Sequence, residues 1–255
     1  GPDYDRAKWG TLAKFILRQG EKLGAKYANE VIVISNVIKD ILENKYKRND
    51  TNLIYNGFTS PVFNYDTDYI KTLGLEPHKY VFTLGRFVEE KGFDLLIRSF
   101  SKLNQNDYRL VIAGDADHET NYSRNLKQLA KQNNVVLTGF IKGEKLQQLF
   151  TNTRLFILPS FHEGLPISLL EAMSYKIPVL VSDIPANKQV VNLSDNNFFI
   201  TGDEESLRKG LDEWLKKDFK LEDYDMSPYD WDLIADQTAA IYEKIAGKVR
   251  KPRES

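Results

Sequence analysis

The stretch Tyr80–Gly114, YVFTLGRFVEEKGFDLLIRSFSKLNQNDYRLVIAG, contains a complete strand–helix–strand unit. Its two ends, YVFTLG and RLVIAG, are short and almost unbroken apolar runs, the composition of strands buried on both faces. Between them, EKGFDLLIRSFSKL spaces its apolar residues as a helix does. Strands joined through a covering helix pair in parallel. The same alternation continues downstream. VVLTG precedes EKLQQLF, LFILPS precedes PISLLEAMSY, and PVLVSD precedes a short turn and helix, while NYSRNLKQLAKQ follows RLVIAG. The pattern predicts an α/β domain with a doubly wound parallel sheet.

Upstream, residues 6–27 form an amphipathic helical pattern. VIVIS, a helical pattern through Leu42 and a second short strand, NLIYNG, come next. Two more helical patterns, DEESLRKGLDEWLKK and WDLIADQTAAIYEKIAGK, follow the sheet, and KVRKPRES reads as a basic tail. The polar connection from Ser60 to Asp68 carries no pattern of its own.

Composition narrows the functional classes. With 35 Lys and Arg against 36 Asp and Glu, the chain of 255 residues has a formal net charge of −1, so no global field marks a nucleic-acid partner. It has no cysteine and three isolated histidines, His78, His118 and His162, which removes thiolate chemistry and a structural zinc site. That usage fits a reducing cytoplasm. No run of about 18 apolar residues marks a membrane span. The chain opens Gly1-Pro2 without Met and is read as a piece of a longer protein, with Gly1-Pro2 either native or a cleavage scar.

In open parallel sheets, ligands sit beyond the carboxyl ends of the strands. Gly85, Arg86 and Lys91 lie after the first strand of the unit. A guanidinium and an ammonium there suit a diphosphate; alternatively Arg86 pairs with Glu89 or Glu90 and Lys91 is solvated. After LFILPS, the segment FHEGLPISLLEAMSY carries Glu163, Gly164, Pro166 and Glu171. Gly164 permits close backbone approach, Pro166 suits a first helical position, and a helix start offers free N–H groups to a phosphate. Eight residues of helix span at most about 12 Å, so Glu163 and Glu171 are too far apart for a tight catalytic pair. They suit the two ends of one elongated ligand, although composition alone favours the plainer reading of a surface acid and a helix-face acid.

GRFVEEKGFDLLI together with PSFHEGLPISLLEAMSYKIPVLVSD resembles the paired signature of the retaining family 4 glycosyltransferases, which have the GT-B fold. The resemblance implies a Rossmann-like donor-binding domain in which Arg86 and Lys91 hold the diphosphate of a nucleoside-diphosphate sugar and, with Glu163, form the catalytic set. It further implies that Gly164 and Leu165 give backbone N–H groups, that Glu163 binds sugar hydroxyls and that Glu171 binds the ribose diol. LTGFI, with Phe140 and Ile141, matches the loop flanking the nucleobase. No metal is implied: Asp115-Ala116-Asp117 has the look of a metal-binding signature from another fold, but Arg86 and Lys91 already supply the charge. The Asp66–Asp68 repeat is taken as chance. The donor is dTDP- or UDP-linked and the acceptor a saccharide or lipid-linked saccharide.

The resemblance extends over about residues 6–242. DYDRAKWGTLAKFILRQGEKLGAKYANEVIVIS and VSDIPANKQVV are similar to a bacterial surface-polysaccharide subgroup with rhamnosyltransferases. It divides the chain into 1–62, a remnant of an acceptor-side N-terminal domain; 63–228, the donor-binding domain; and 229–255, a terminal crossover helix and tail. A remnant of a sheet leaves unpaired edges, which predicts self-association or a missing N-terminal domain. The first helix, with Arg6, Lys8, Lys14, Arg18, Lys22 and Lys26 against Glu21 and with Trp9 and Phe15 among them, could instead lie on the inner face of the cell membrane. Two other classes share such a fold. One is a noncatalytic nucleotide-sugar binding module; the other, a dinucleotide-dependent oxidoreductase, lacks its Gly-X-Gly-X-X-Gly in TLGRFVEEKG.

Overall fold

A computed structural model of the protein describes residues 10–103, 107–190 and 193–249. They fall into two compact units, the described residues of 10–57 with 227–249, and those of 58–226. Arg6, Lys8 and Trp9 of the expected first helix, Gly1-Pro2 and the tail beyond 249 lie outside the described residues.

The larger unit is built on six parallel strands. They are β3 (Tyr80–Leu84), β4 (Arg109–Ala113), β5 (Val136–Gly139), β6 (Leu155–Leu158), β7 (Val179–Ser182) and β8 (Phe198–Phe199), numbered after the two strands of the smaller unit. Their spatial order is β5-β4-β3-β6-β7-β8, every pairing parallel. The chain thus runs outward from β3 to one edge and then returns to lay β6 on β3's other side. That reversal between β3 and β6 creates a crevice at the carboxyl ends of the two strands. Burial explains the sequence pattern: Val81, Phe82, Val111, Ile112, Phe156, Ile157, Leu180 and Val181 are all fully buried, because helices cover both faces.

The covering helices include α4 (Phe93–Ser101), α5 (Asn121–Gln132), α6 (Glu144–Asn152), α7 (Ile167–Ser174), α8 (Pro185–Lys188) and α9 (Glu204–Lys216). On one face Leu96, Ile97, Leu126, Ala130, Leu207 and Leu211 pack with the strands. Elsewhere Phe82 and Phe150 meet edge to face at 5.1 Å, and Phe150 stacks on Tyr175 at 5.0 Å. Two short elements have no clear sequence pattern: α3 (Asp68–Thr72), which begins where the polar connection ends, and β8, an edge strand of two residues.

Two expected helix starts shift. The first helix of the opening unit does not run through Glu90: Glu89–Lys91 is a single 3-10 turn, and Gly92 turns left-handed (φ +62°) before α4 begins. Pro166, expected as the first helical residue, is instead the N-cap of α7, with ψ 81°.

The smaller unit holds α1 (Thr11–Tyr27), β1 (Val31–Val33), α2 (Asn36–Tyr46), β2 (Thr51–Leu53) and α10 (Trp231–Val249). β1 and β2 form a two-stranded parallel sheet. Its small core gathers Ala25, Val33 and Leu42. Glu21 of α1 accepts hydrogen bonds from Lys45 Nζ (2.7 Å) and Tyr46 Oη (2.6 Å) of α2, and Lys244 of α10 pairs with the buried Glu30 at 2.9 Å. The opposite side of α1 carries Leu12, Phe15, Ile16, Leu23 and Tyr27, each more than half exposed.

Candidate functional site

The loops after β3, β4, β5 and β6 meet at the carboxyl edge of the larger unit, and two glycines allow their close approach. A Cβ on Gly92 (φ +62°) would lie 2.3 Å from the carbonyl oxygen of Pro159, and one on Gly114 (φ +118°) would lie 2.0 Å from that of Gly85. Neither position accepts a side chain. The loops are also tied by backbone bonds: Phe161 N–H donates to Glu90 O at 2.8 Å, and Phe87 N–H to Asp115 O at 3.0 Å.

Across the β3/β6 crevice, Lys91 Nζ meets Glu163 Oε1 at 2.6 Å, with both side chains less than one-fifth exposed. The hydroxyl of Ser160 donates to the same oxygen at 2.6 Å. The sequence offers Lys91 a phosphate or solvent as partner; the structure pairs it with Glu163. A sheltered pair of this kind is costly to break by removing one partner. Arg86 reaches neither Glu89 nor Glu90 but pairs with Asp117 at 3.1 Å. Both of those side chains are about half exposed or more, so exchanging Asp117 for another anion costs little.

Glu171 sits on α7, partly buried, and no described residue donates a hydrogen bond to its carboxylate. Burial pushes its pKa up. A desolvated carboxyl without a partner gains from any ligand that brings hydroxyl donors. Gly164 and Leu165 form an open turn before α7: nothing lies within 4 Å of where a Gly164 Cβ would stand.

Beside Arg86 lies a cavity of about 430 Å³ lined by Gly85, Ala113, Gly114, Phe140, Ile141 and Leu146, among others. Its walls are mostly apolar, and Phe140 is 81% exposed at the rim. Asp115, Ala116 and Asp117 also line it. The two acids of that trio are each engaged by a cation: Asp115 pairs with Lys127 at 2.7 Å, whose hydrogen bond holds its pKa below the usual carboxylate range, and Asp117 pairs with Arg86. Among the described residues no group of three His, Asp or Glu side chains is arranged to hold a metal ion.

Ser160 and Asp117 were not found from sequence. Asp117 had been weighed only as half of a metal motif, and a lone serine after a strand carries no signal; what reveals both is the neighbour each one touches.

A doubly wound parallel domain gathers its ligand-binding loops at its topological switch point, and here that point carries cations, carboxylates and an apolar slot. The chain is a member of the glycosyl transferases group 1 family, whose model matches residues 66–227. It is 27% identical over 246 residues to an uncharacterised glycosyltransferase of Methanocaldococcus jannaschii, covering 89% of this chain and 62% of that one. To the O-antigen chain mannosyltransferase of Salmonella typhimurium it is 25% identical over 187 residues, covering 72% of this chain and 50% of the relative. The chain therefore spans between one half and two thirds of the length of these relatives. In fold it is similar to Anabaena HepE, solved with UDP and glucose: the TM-score is 0.71 at 20% identity over 91% of this chain and 66% of that one. The parallel sheet with its flanking helices is shared with GT-B glycosyltransferases.

Proposed function

We propose that the crevice between β3 and β6 binds a nucleoside-diphosphate sugar, and that the full protein transfers this sugar, with retention of configuration, to a saccharide or lipid-linked saccharide in bacterial surface-polysaccharide synthesis. The observation that carries the reading is the meeting of Lys91 and Glu163 at the switch point, with Arg86 and the apolar cavity on one side and the unpaired Glu171 on the next helix. One elongated ligand matches this set. The base fills the cavity beside Phe140 and Ile141, the ribose diol donates to Glu171, the diphosphate takes Arg86, Lys91 and the N–H groups of Gly164 and Leu165, and sugar hydroxyls donate to Glu163.

In the reaction, positive charge grows at the anomeric carbon and negative charge on the departing phosphate. Arg86 and Lys91, already placed, stabilise that phosphate. The family resemblance implies that the departing phosphate receives the proton of the acceptor hydroxyl on the same face, and no side chain of this site is assigned as a covalent nucleophile. Metal independence is supported by the cationic pairs of Asp115 and Asp117, which leave the diphosphate to side-chain cations.

A dTDP- or UDP-linked donor, with dTDP-rhamnose foremost, follows from the subgroup that the sequence resembles; the HepE complex adds weight to UDP. The acceptor site is assigned to an N-terminal, acceptor-side domain, to which residues 1–62 belong. In this reading the protein works in the cytoplasm, against the inner membrane face when its acceptor is lipid-linked. The second reading, a noncatalytic binding module, shares every residue above and differs only in turnover.

Calorimetric titration with UDP, dTDP and GDP in the absence of metal tests the site. Binding of one diphosphate, weakened by Arg86→Ala and by Glu171→Ala, is the expected result. Absence of binding by all three overturns the donor site, and binding without transfer or hydrolysis of the sugar nucleotide favours the module.

A further inference from the structure

A line of buried polar groups runs behind Glu163 through the ends of β7 and β6. Asn187, on α8, donates from Nδ2 to the carbonyl oxygen of Ser182 at 2.9 Å and to its Oγ at 3.1 Å. Ser182 Oγ donates to the backbone carbonyl of Ser160 at 2.5 Å. Ser160 Oγ donates to Glu163 Oε1. Asn187, Ser182 and Ser160 are each 0% exposed. Buried polar side chains are mostly answered by another, and here the donors run step by step toward the crevice, with Asn187 Oδ1 at the far end of the line left without a partner.

The last step has a geometric consequence. Oε1 of Glu163 carries two donors, Ser160 Oγ and Lys91 Nζ, while no described residue donates to Oε2. A carboxylate held through one oxygen has a fixed plane and one acceptor left over. Without the Ser160 hydroxyl, Lys91 alone holds the carboxylate, and as a point charge it leaves the carboxylate plane free to turn.

We propose that Ser160 is a positioning residue: it orients the Glu163 carboxylate so that Oε1 holds Lys91 and Oε2 accepts a hydroxyl of the donor sugar. Ser182 and Asn187 hold the Ser160 backbone in place. The proposal rests on the donor-site reading above, and it concerns only the sugar end of that ligand. Loss of the serine hydroxyl should therefore be felt by the sugar nucleotide and not by the bare diphosphate.

The test is a double-mutant cycle on the full chain with Ser160→Ala, Glu163→Ala and the pair. The probes are matched: UDP with UDP-glucose, dTDP with dTDP-glucose, and GDP with GDP-mannose, each by calorimetry. Thermal unfolding confirms that the variants fold, and Ser160→Cys, which keeps the volume and a weak donor, serves as a second variant. For the pair that the wild type binds, Ser160→Ala should weaken the sugar nucleotide about tenfold, the scale of one hydrogen bond to a charged group, and change the bare diphosphate less than about twofold. Ser160→Cys should fall between, and Ser160→Ala should add nothing once Glu163 is alanine. Equal losses for both members of a pair, or additive losses in the double variant, overturn the positioning role. Failure of the wild type to bind any of the six ligands overturns the donor site itself.

Discussion

Glu171 is partly buried, and no described residue donates a hydrogen bond to its carboxylate. Burial raises its pKa in the folded protein, so the folded state binds this proton more tightly than the unfolded chain. Stability linked to Glu171 is then fully present below the pKa of the unfolded chain and is lost as pH rises through the elevated folded value. Glu171→Gln should accordingly raise the melting temperature at neutral pH, with the gain fading as the buffer is made acidic. The same change should weaken nucleoside diphosphate binding by about 1.5–3 kcal/mol, the value of a hydrogen bond to a charged group. A variant that is neither more stable at neutral pH nor weaker in binding removes Glu171 from the ribose. Arg86 makes a different case: its bond to Asp117 is exposed. Asp117→Asn should leave the melting temperature nearly unchanged while tightening nucleoside diphosphate binding a few-fold, on the scale of an exposed ion pair, and this gain should vanish in an Arg86→Ala background.

Between β3 and α4, the position of Lys91 depends on one backbone conformation. Gly92 is left-handed, and it lies against the Pro159 carbonyl of the neighbouring strand's loop. Gly92→Ala combines a left-handed penalty of about 1–2 kcal/mol with a steric clash. Circular dichroism should show a lower melting temperature, and calorimetry a loss of diphosphate affinity larger than that of any single contact, because both loops of the crevice must shift. At the opposite end of the sheet, Arg154 fulfils a structural task. Buried before β6, its guanidinium donates to the carbonyls of Trp214, Leu215 and Lys217, closing the C-terminal turn of α9, and lies 5.5 Å from the Phe219 ring. Arg154→Met should destabilise the protein by about 1.5–3 kcal/mol in urea while leaving ligand affinity intact, since it strands carbonyls far from the crevice.

The two units differ in how they satisfy their apolar residues. The six-stranded sheet is covered on both faces. The smaller unit has two short strands, and the outward stripe of α1, from Leu12 to Tyr27, is exposed. Such a stripe exceeds what scattered surface residues need and favours association. Sedimentation equilibrium should give a mass above 29.4 kDa that rises with concentration and falls back when Phe15 and Ile16 are replaced by Asp. A monomer at high concentration removes self-association. Vesicle sedimentation with and without anionic lipid then tests the remaining membrane reading, since Lys14, Lys22 and Lys26 lie on the same helix.

Strands buried on both faces and amphipathic helices leave periodic signatures, so the alternating α/β order was legible in the linear chain from Tyr80 onward. So was the gathering of the loops that carry Arg86, Lys91 and Glu163, because parallel strands all deliver their loops to one edge. Two-residue β8 and five-residue α3 were not, being too short for a period to register. Partners were not legible either. That Lys91 meets Glu163, that Arg86 meets Asp117, and that Ser160, Ser182 and Asn187 line up behind the crevice are consequences of laying β4 and β6 on either side of β3 and β7 beside β6. Local spacing specifies which elements form; which side chains become neighbours across 72 residues of sequence, as Lys91 and Glu163 do, is settled by packing the sheet.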